Sequence, residues 1–426
     1  MPKKSSLDSA DTDAHFPQLR DDPFRPPEEY EDWRDRASVC PARLHSDQRA
    51  WVVVGHGAAR EALTHPDMSV DVGRPGFPLV RADATARSND TMLRAMDPPS
   101  HAKIRRMMAG QFSAKRVREL QPELERIVTD AIDTILVKGG PLDLHQELSL
   151  VVPTKVICAL LGVDYTLSRD IQRLASTVTS SAASADELRA AAEELYALLD
   201  QVINEQYEKS REGLIATLIE RSRRGEIEHR QILGLTFETI VAGHETTANT
   251  ISMGWLQLFG RPDIRARVMT DPSLIPGMVE DMVRMHSLAD GVASRVATAD
   301  MVIDGQEVKA GEGVVVNFSA PNYDPTVWDK PYELNVDRNS RDHVGFSAGI
   351  HSCLGQNLAR AELHTAFTQL LSRVPTLRLA DGQDSVEMLN DGFVYGVQRL
   401  IVDWWPCAYP WPVPGKFVMC GTRMRF

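Results

Sequence analysis

Apolar residues recur every three to four positions over 116–137, 147–162, 186–208, 228–259, 274–286 and 355–373, a spacing that predicts helices with one buried face. Arg25-Pro26-Pro27 followed by Glu-Glu-Tyr-Glu-Asp-Trp-Arg-Asp-Arg-Ala37 predicts a first, more polar helix. Short β-type runs at Trp51–Val54, Met301–Ile303 and Gly313–Phe318 predict strands. No internal repeat and no Gly/Ser linker divides the chain. The pattern therefore predicts one mainly α domain with small β-sheets over residues 25–404, a flexible N-terminal arm over 1–24, and an irregular extension over 405–426 that is rich in proline and aromatics.

Composition adds exclusions. Hydrophobic content of 43% and charged content of 25% suit a globular enzyme and argue against wholesale disorder. A net charge of −12 argues against nucleic acid as the main ligand. The polar, acidic start of the chain resembles neither a signal peptide nor a membrane anchor, so a cytoplasmic protein with no membrane partner is expected. Cys40, Cys158, Cys353, Cys407 and Cys420 are odd in number and scattered, which disfavours a disulfide framework. One basic stretch, from Lys103 through Arg105 and Arg106 to Lys115, Arg116 and Arg118, stands against the acidic background; by charge pattern alone it is a solvated helix face.

Phe346-Ser-Ala-Gly-Ile-His-Ser-Cys-Leu-Gly355 runs directly into the last predicted helix. A cysteine ahead of a helix N-terminus sits where the dipole and free amide donors favour thiolate. Gly349 and Gly355 permit backbone turns and close approach to a flat ligand. On these residues alone Cys353 reads first as a buried structural cysteine and next as a nucleophile, although no second motif supplies a partnered base and an oxyanion hole. The long apolar helix at 228–259 is interrupted by Gly243-His-Glu-Thr-Thr-Ala-Asn249. Polar side chains at mid-span cost stability unless they line a wet cavity, distort the helix or simply face solvent.

The ten residues around Cys353 resemble the haem-binding loop of the cytochrome P450 family, and Ala242-Gly-His-Glu-Thr-Thr247 resembles that family's oxygen-activating segment. The resemblance covers approximately residues 25–404. It implies the cytochrome P450 fold, with haem b lying between the long central helix and the cysteine-loop helix and its iron held by the Cys353 thiolate. It further implies that Glu245 is the acid and Thr246 the alcohol that guide protons to dioxygen, while Ala242 and Gly243 leave room above the iron. Phe346, Gly349, His351 and Gly355 belong to the haem loop; His101 and Arg105, in Asp97-Pro-Pro-Ser-His-Ala-Lys-Ile-Arg105, with Arg295 and His351, are the implied partners of the haem propionates.

The sequence departs from the family pattern in three places. Asp281 stands three residues before Arg284 where glutamate is usual; Glu280 is an alternative partner, and Arg338 looks like the third member of that network. Tyr323 stands where bacterial relatives commonly carry arginine, and Ser347 replaces a frequent glycine. The implied activity is monooxygenation of a bulky apolar small molecule, of the secondary-metabolite or xenobiotic type. Electrons would come from a ferredoxin and ferredoxin reductase, with the basic stretch 103–118 and Arg360 as candidate contacts. The implied pocket is lined by Arg74–Leu93, parts of 170–185, Phe237, Val241, Leu288–Ser294 and Phe393–Val397. A peroxide-driven haem enzyme, a non-catalytic haem-binding protein and a helical scaffold without haem are the alternatives.

Overall fold

The computed structural model describes residues 14–22, 24–44, 47–80, 91–180, 183–209, 212–288, 290–382, 385–390 and 395–405. Its organising element is the helix His229–Gly260, whose 32 residues span about 48 Å at 1.5 Å per residue. This central helix is apolar nearly all round, and that is why it is buried rather than half-exposed. Helices Val151–Leu161, Ser168–Thr179, Ala185–Glu208, Leu214–Arg223 and Gln356–Arg373 pack around it. Their apolar faces merge into one large core cluster with helices Ala114–Lys138 and Ile275–Met285. The last helix approaches so closely that a Cβ on Gly254 would stand 2.5 Å from Phe367 Cζ.

A smaller lobe is built on a six-stranded sheet in the order His15–Phe16, Val39–Leu44, Arg49–Val53, Gly313–Val316, Ala293–Ala297, Met68–Ser69. Arg49–Val53 runs parallel to Gly313–Val316, which in turn pairs antiparallel with Ala293–Ala297. Valines at 52, 53, 314, 315 and 316 are all buried, so both faces of the sheet centre are covered. Two buried clusters, one on each face, fill that lobe.

The seven predicted helices and three predicted strands are all present, with ends moved by a few residues. The 147–162 helix opens with a π-turn, His145–Ser149, and becomes α-helical at Val151. The expected flexible arm is corrected over its described part. Residues His15–Phe16 pair parallel with Arg43–Leu44, and Phe16 is buried. Arg20 is buried against Asp290 at 3.5 Å and donates to the Ser287 carbonyl at 2.7 Å. A buried carboxylate demands such a partner, and Arg20 supplies it from the chain start. The extension 405–426 lies outside the described residues except for Trp405, whose carbonyl accepts from Thr376 Oγ1 at 2.9 Å. No helix among the described residues is long and apolar enough to cross a membrane.

Candidate active site

The loop that carries Cys353 closes on itself. The Cys353 N–H donates to the Phe346 carbonyl at 2.8 Å, and the Ser347 N–H to the Val344 carbonyl at 2.7 Å. Ser347 adopts φ +59°, the left-handed region, which explains why glycine is frequent there. Gly349 has φ +70°, and a Cβ on it would lie 2.7 Å from the Leu63 carbonyl oxygen and 3.2 Å from Thr64 Cα. Glycine at 349 is thus required by the turn the sequence suggested and by the helix His56–Thr64 packed beneath the loop. At Gly355 the situation is open: the nearest atom a Cβ would meet is Cys353 Sγ at 4.0 Å.

Burial pushes the Cys353 thiol up, against the pull of the Gly355 amide, the Arg105 and Arg360 guanidiniums and the Gln356 amide. The amides at the start of helix Gln356–Arg373 therefore do aim at sulfur, but in this buried place they do not suffice on their own. A cation bound to sulfur would tip that balance. Among the described residues no group of three His, Cys, Asp or Glu side chains could hold a metal, so an iron at Cys353 must bring its other ligands with it.

Beside the cysteine loop the fold gathers four basic side chains from three distant stretches. The His101 and His351 rings lie 4.2 Å apart between centroids. Arg105 donates to the Ser352 carbonyl at 2.8 Å and to its hydroxyl at 3.3 Å. Arg295 is buried, and its guanidinium, like that of Arg105, acts on His351. Burial, then Arg295, His101 and Arg105, depress His351 to about 3. Burial brings Arg295 down to about 10, against Asp97, and also lowers His101 and Arg105. Nε2 of His101 is buried without a hydrogen-bond partner. Two guanidiniums and an orphaned imidazole nitrogen, crowded together and depressed by burial, are a cradle for a group carrying carboxylates. Haem b, with two propionates and four ring nitrogens for iron, fits both the cradle and the lone thiol.

The central helix carries the polar interruption at its mid-span. It is buried at Phe237, Ile240, His244 and from Thr247 to Leu258, yet Ala242 and Thr246 are exposed. Those two are one turn apart on the same face, so a gap one turn long opens there. Thr246 Oγ1 donates back to the Ala242 carbonyl at 2.7 Å. Glu245 is pushed up by burial, although Asn249 Nδ2 donates to its Oε1 at 2.9 Å. His244 is buried beside it, with Nδ1 3.7 Å from Glu245 Oε2, and burial followed by His145 depresses it to about 3. At Gly243 a Cβ would meet Ile157 Cδ1 at 2.5 Å, so this glycine also makes room for helix Val151–Leu161.

The network behind the loop resolves the Asp281 question. Asp281 is fully buried; its Oδ1 accepts from Arg284 Nε and Ser340 Oγ at 2.6 Å each, and its Oδ2 from the Asn335 N–H at 2.8 Å. Arg338 Nε lies 3.2 Å from the same carboxylate. Glu280 turns instead to Arg360, with contacts of 2.7 and 2.6 Å, and to His343 at 3.2 Å. Arg360, a candidate docking contact by sequence, is therefore paired in place with Glu280. Tyr323, at the arginine position of relatives, is fully buried and directs its hydroxyl at the carbonyls of Phe24 (2.7 Å) and Met285 (3.0 Å).

Several members of the implied pocket, residues 81–90, 181, 182, 289 and 391–394, lie outside the described residues. Phe237 is buried and stacked on Tyr196 with centroids 4.2 Å apart. Sequence reasoning gave Asn249 no role, yet it ties Glu245 to the strand Tyr395–Arg399, its Oδ1 accepting from the Val397 N–H at 2.9 Å. Its signal was present: an amide four residues after the acid, on the same helical face.

Known proteins share this arrangement. The cytochrome P450 family model matches residues 181–394. The chain is 38% identical over 392 residues to cytochrome P450 105A3 of Streptomyces carbophilus, covering 91% of this chain and 95% of that one. It is 36% identical over 393 residues to the vitamin D3 dihydroxylase of Streptomyces griseolus, covering 91% and 96%. The crystal structure of cytochrome P450 MoxA from Nonomuraea recticatena superposes with a TM-score of 0.87 at 40% identity, over 93% of this chain and 99% of that one. With a lone loop cysteine, a cationic cradle and relatives that match it over nine-tenths of its length, the chain belongs to the cytochrome P450 family of haem-thiolate monooxygenases.

Proposed function

We propose that this chain hydroxylates a bulky apolar small molecule, using dioxygen and electrons delivered by a ferredoxin and its reductase. What supports this reading is two chemistries carried by one fold: a half-buried thiol with cations beside it, and a central helix whose mid-span is exposed at Ala242 and Thr246. Haem b, bound in the gap, would supply an iron that activates dioxygen, its thiolate ligand favouring O–O cleavage.

The chain's own residues have distinct tasks in this reading. His101, Arg105, Arg295 and His351 hold the carboxylates of the cofactor, and the Gly355 and Gln356 amides steady the Cys353 sulfur. Glu245, pushed up by burial, is the acid that supplies a proton. Thr246 Oγ1, resting on the Ala242 carbonyl, is the hydroxyl that faces the gap and passes that proton on. The relative acting on vitamin D3 supports a bulky apolar substrate, and the actinobacterial company supports tailoring of such metabolites. Dependence on a reduced ferredoxin carries a cytoplasmic location with it.

The test is the absorption spectrum of the dithionite-reduced protein with carbon monoxide. A strongly red-shifted Soret band that Cys353→Ala abolishes is expected, and its absence after reconstitution with haem would sink the reading. With a substrate in hand, Thr246→Ala should consume reduced nicotinamide cofactor with product yield down by about tenfold or more. Turnover with peroxide but none with ferredoxin would move the assignment to a peroxide-driven enzyme.

A further inference from the structure

Four residues before Ala242, and so on the same face of the central helix, stands Glu238. Its side chain is only 12% exposed, and neither the cofactor cradle nor the Glu245–Thr246 pair uses it. Both carboxylate oxygens are engaged by backbone: Oε2 accepts from the Leu93 N–H at 2.6 Å and Oε1 from the Arg94 N–H at 3.0 Å. The Arg94 guanidinium lies 3.6 Å from Oε1. One turn further back, Gly234 receives the same segment. A Cβ there would stand 2.4 Å from the Thr91 carbonyl oxygen and 2.6 Å from Thr91 Cβ.

Gly234 and Glu238 thus form a notch and a clasp, one turn apart, that seat Thr91–Arg94 on the central helix. Burying a carboxylate in an apolar helix face costs stability, and two amide donors plus a guanidinium offset that cost only while the segment stays seated. Beyond the clasp the chain is pinned a second time: Asp97 accepts from the Ser69 hydroxyl and from the Val70 N–H at 3.0 Å. The helix Ser100–Ala109, with His101 and Arg105, starts just past that second pin. The two pins separate two jobs. Asp97 fixes the cofactor side, and Glu238 fixes the wall beside the gap at Ala242.

We infer that Glu238, with the Gly234 notch, is a specificity-determining positioning residue that sets how large a molecule the gap at Ala242 admits, by clamping Thr91–Arg94 to the central helix. The inference rests on the monooxygenase reading for its consequence, but not for the clamp itself. Both Glu238 oxygens are taken up by the Leu93 and Arg94 amides and the Arg94 guanidinium, so Glu238 acts through the segment it holds and its effect is graded by ligand size.

The experiment compares the holoenzyme with Glu238→Gln and Gly234→Ala. The first removes one carboxylate acceptor, and the second displaces Thr91 while leaving the carboxylate. Backbone amide exchange is followed for peptides covering 91–96 and, as reference, 346–356. Haem-iron ligation by imidazole and by the larger 4-phenylimidazole is titrated through the Soret band. In both variants exchange at 91–96 is expected to rise by about tenfold with the reference peptides unchanged, the size expected for losing one or two backbone hydrogen bonds. The affinity ratio of the two azoles is expected to shift by about fivefold while the carbon monoxide spectrum stays as in the parent. Glu238→Asp, able to keep one amide bond, should fall between parent and Gln. Unchanged exchange at 91–96 overturns the clamp, and equal changes for both azoles, or haem loss in both variants, overturn the specificity role. A parent protein without a haem band would instead remove the monooxygenase reading, with the exchange result still deciding the clamp.

Discussion

A one-methylene difference at residue 281 illustrates how a departure from family habit is absorbed. Asp281 carries three hydrogen bonds and a second guanidinium in a site with no exposed surface, so the pocket has closed around the shorter acid. Restoring the family's glutamate, Asp281→Glu, forces an extra methylene into a filled space and is expected to destabilise by about 1–3 kcal/mol. A urea melt with unchanged slope and a lower midpoint would register it; a higher midpoint would show that the aspartate is a defect. Nearby, Glu362 is buried on the cysteine helix with Oε2 unpartnered, and burial alone pushes it well above the usual carboxylate value. A carboxyl raised in the folded state contributes stability that is complete below the unfolded value near 4.5 and is lost as pH rises towards the folded value. Glu362→Gln should therefore gain on the parent as pH rises from about 5, by up to about 1.4 kcal/mol per pH unit. Thermal melts at pH 5 and pH 8 read the difference, and parallel curves would refute it. Glu280 works in the opposite sense. Burial raises it, but Arg360 and His343 outweigh burial and hold it below the usual range, so its contribution fades as pH falls below about 4.5.

Between elements, the contact of the central helix with the strand Tyr395–Arg399 depends on one glycine. A Cβ on Gly396 would fall 2.1 Å from Asn249 Oδ1, the atom that accepts the Val397 N–H. Gly396→Ala is expected to push the strand away, break that bond and loosen Glu245. Stability should fall by about 2–4 kcal/mol, the sum of a buried unpaired amide and local overpacking. Asn249→Ser in the same background, which clears the clash, should recover part of the loss in a thermal melt, and no recovery would exclude this contact as the cause. None of this was legible in the sequence, because Gly396 and Asn249 meet only after a long stretch of chain has folded. The long helices were legible because each keeps its 3.6-residue period for three turns or more, and the loop around Cys353 because its pattern is local. Helices His56–Thr64, Ser168–Thr179, Leu214–Arg223 and Pro262–Thr270 escaped notice, since nine to twelve residues with many polar members give a weak period. At Gly243 and Gly349 the sequence does not reveal that helix Val151–Leu161 and the end of helix His56–Thr64 press against them. Periodicity tells which face of a helix is apolar, but not which neighbour lies against a glycine.

For the molecule as a whole, charge sorts by partner. Arg360 is locked to Glu280, and Lys103 Nζ donates to the Glu226 carbonyl at 2.6 Å. Arg106 and Lys115 remain exposed, Lys115 with Glu119 no closer than 4.0 Å. An acidic electron donor approaching the chain would be steered by cations that are not already paired. Reversing both, Arg106→Glu with Lys115→Glu, should raise the ferredoxin concentration for half-maximal turnover about tenfold and flatten its dependence on salt. Turnover measured at low and moderate ionic strength decides it, and unchanged kinetics would send the donor elsewhere on the surface. The cradle for the cofactor has a further consequence. His101 and Arg105 lie early in the chain, Arg295 late, and His351 and Cys353 close to its end. During synthesis the first half of that cradle waits, its buried basic groups without the anion they are built to face, until the last helices leave the ribosome. Capture of the cofactor is therefore a closing step of manufacture, and a chain released short of that point carries an open, cationic seam that marks it as unfinished.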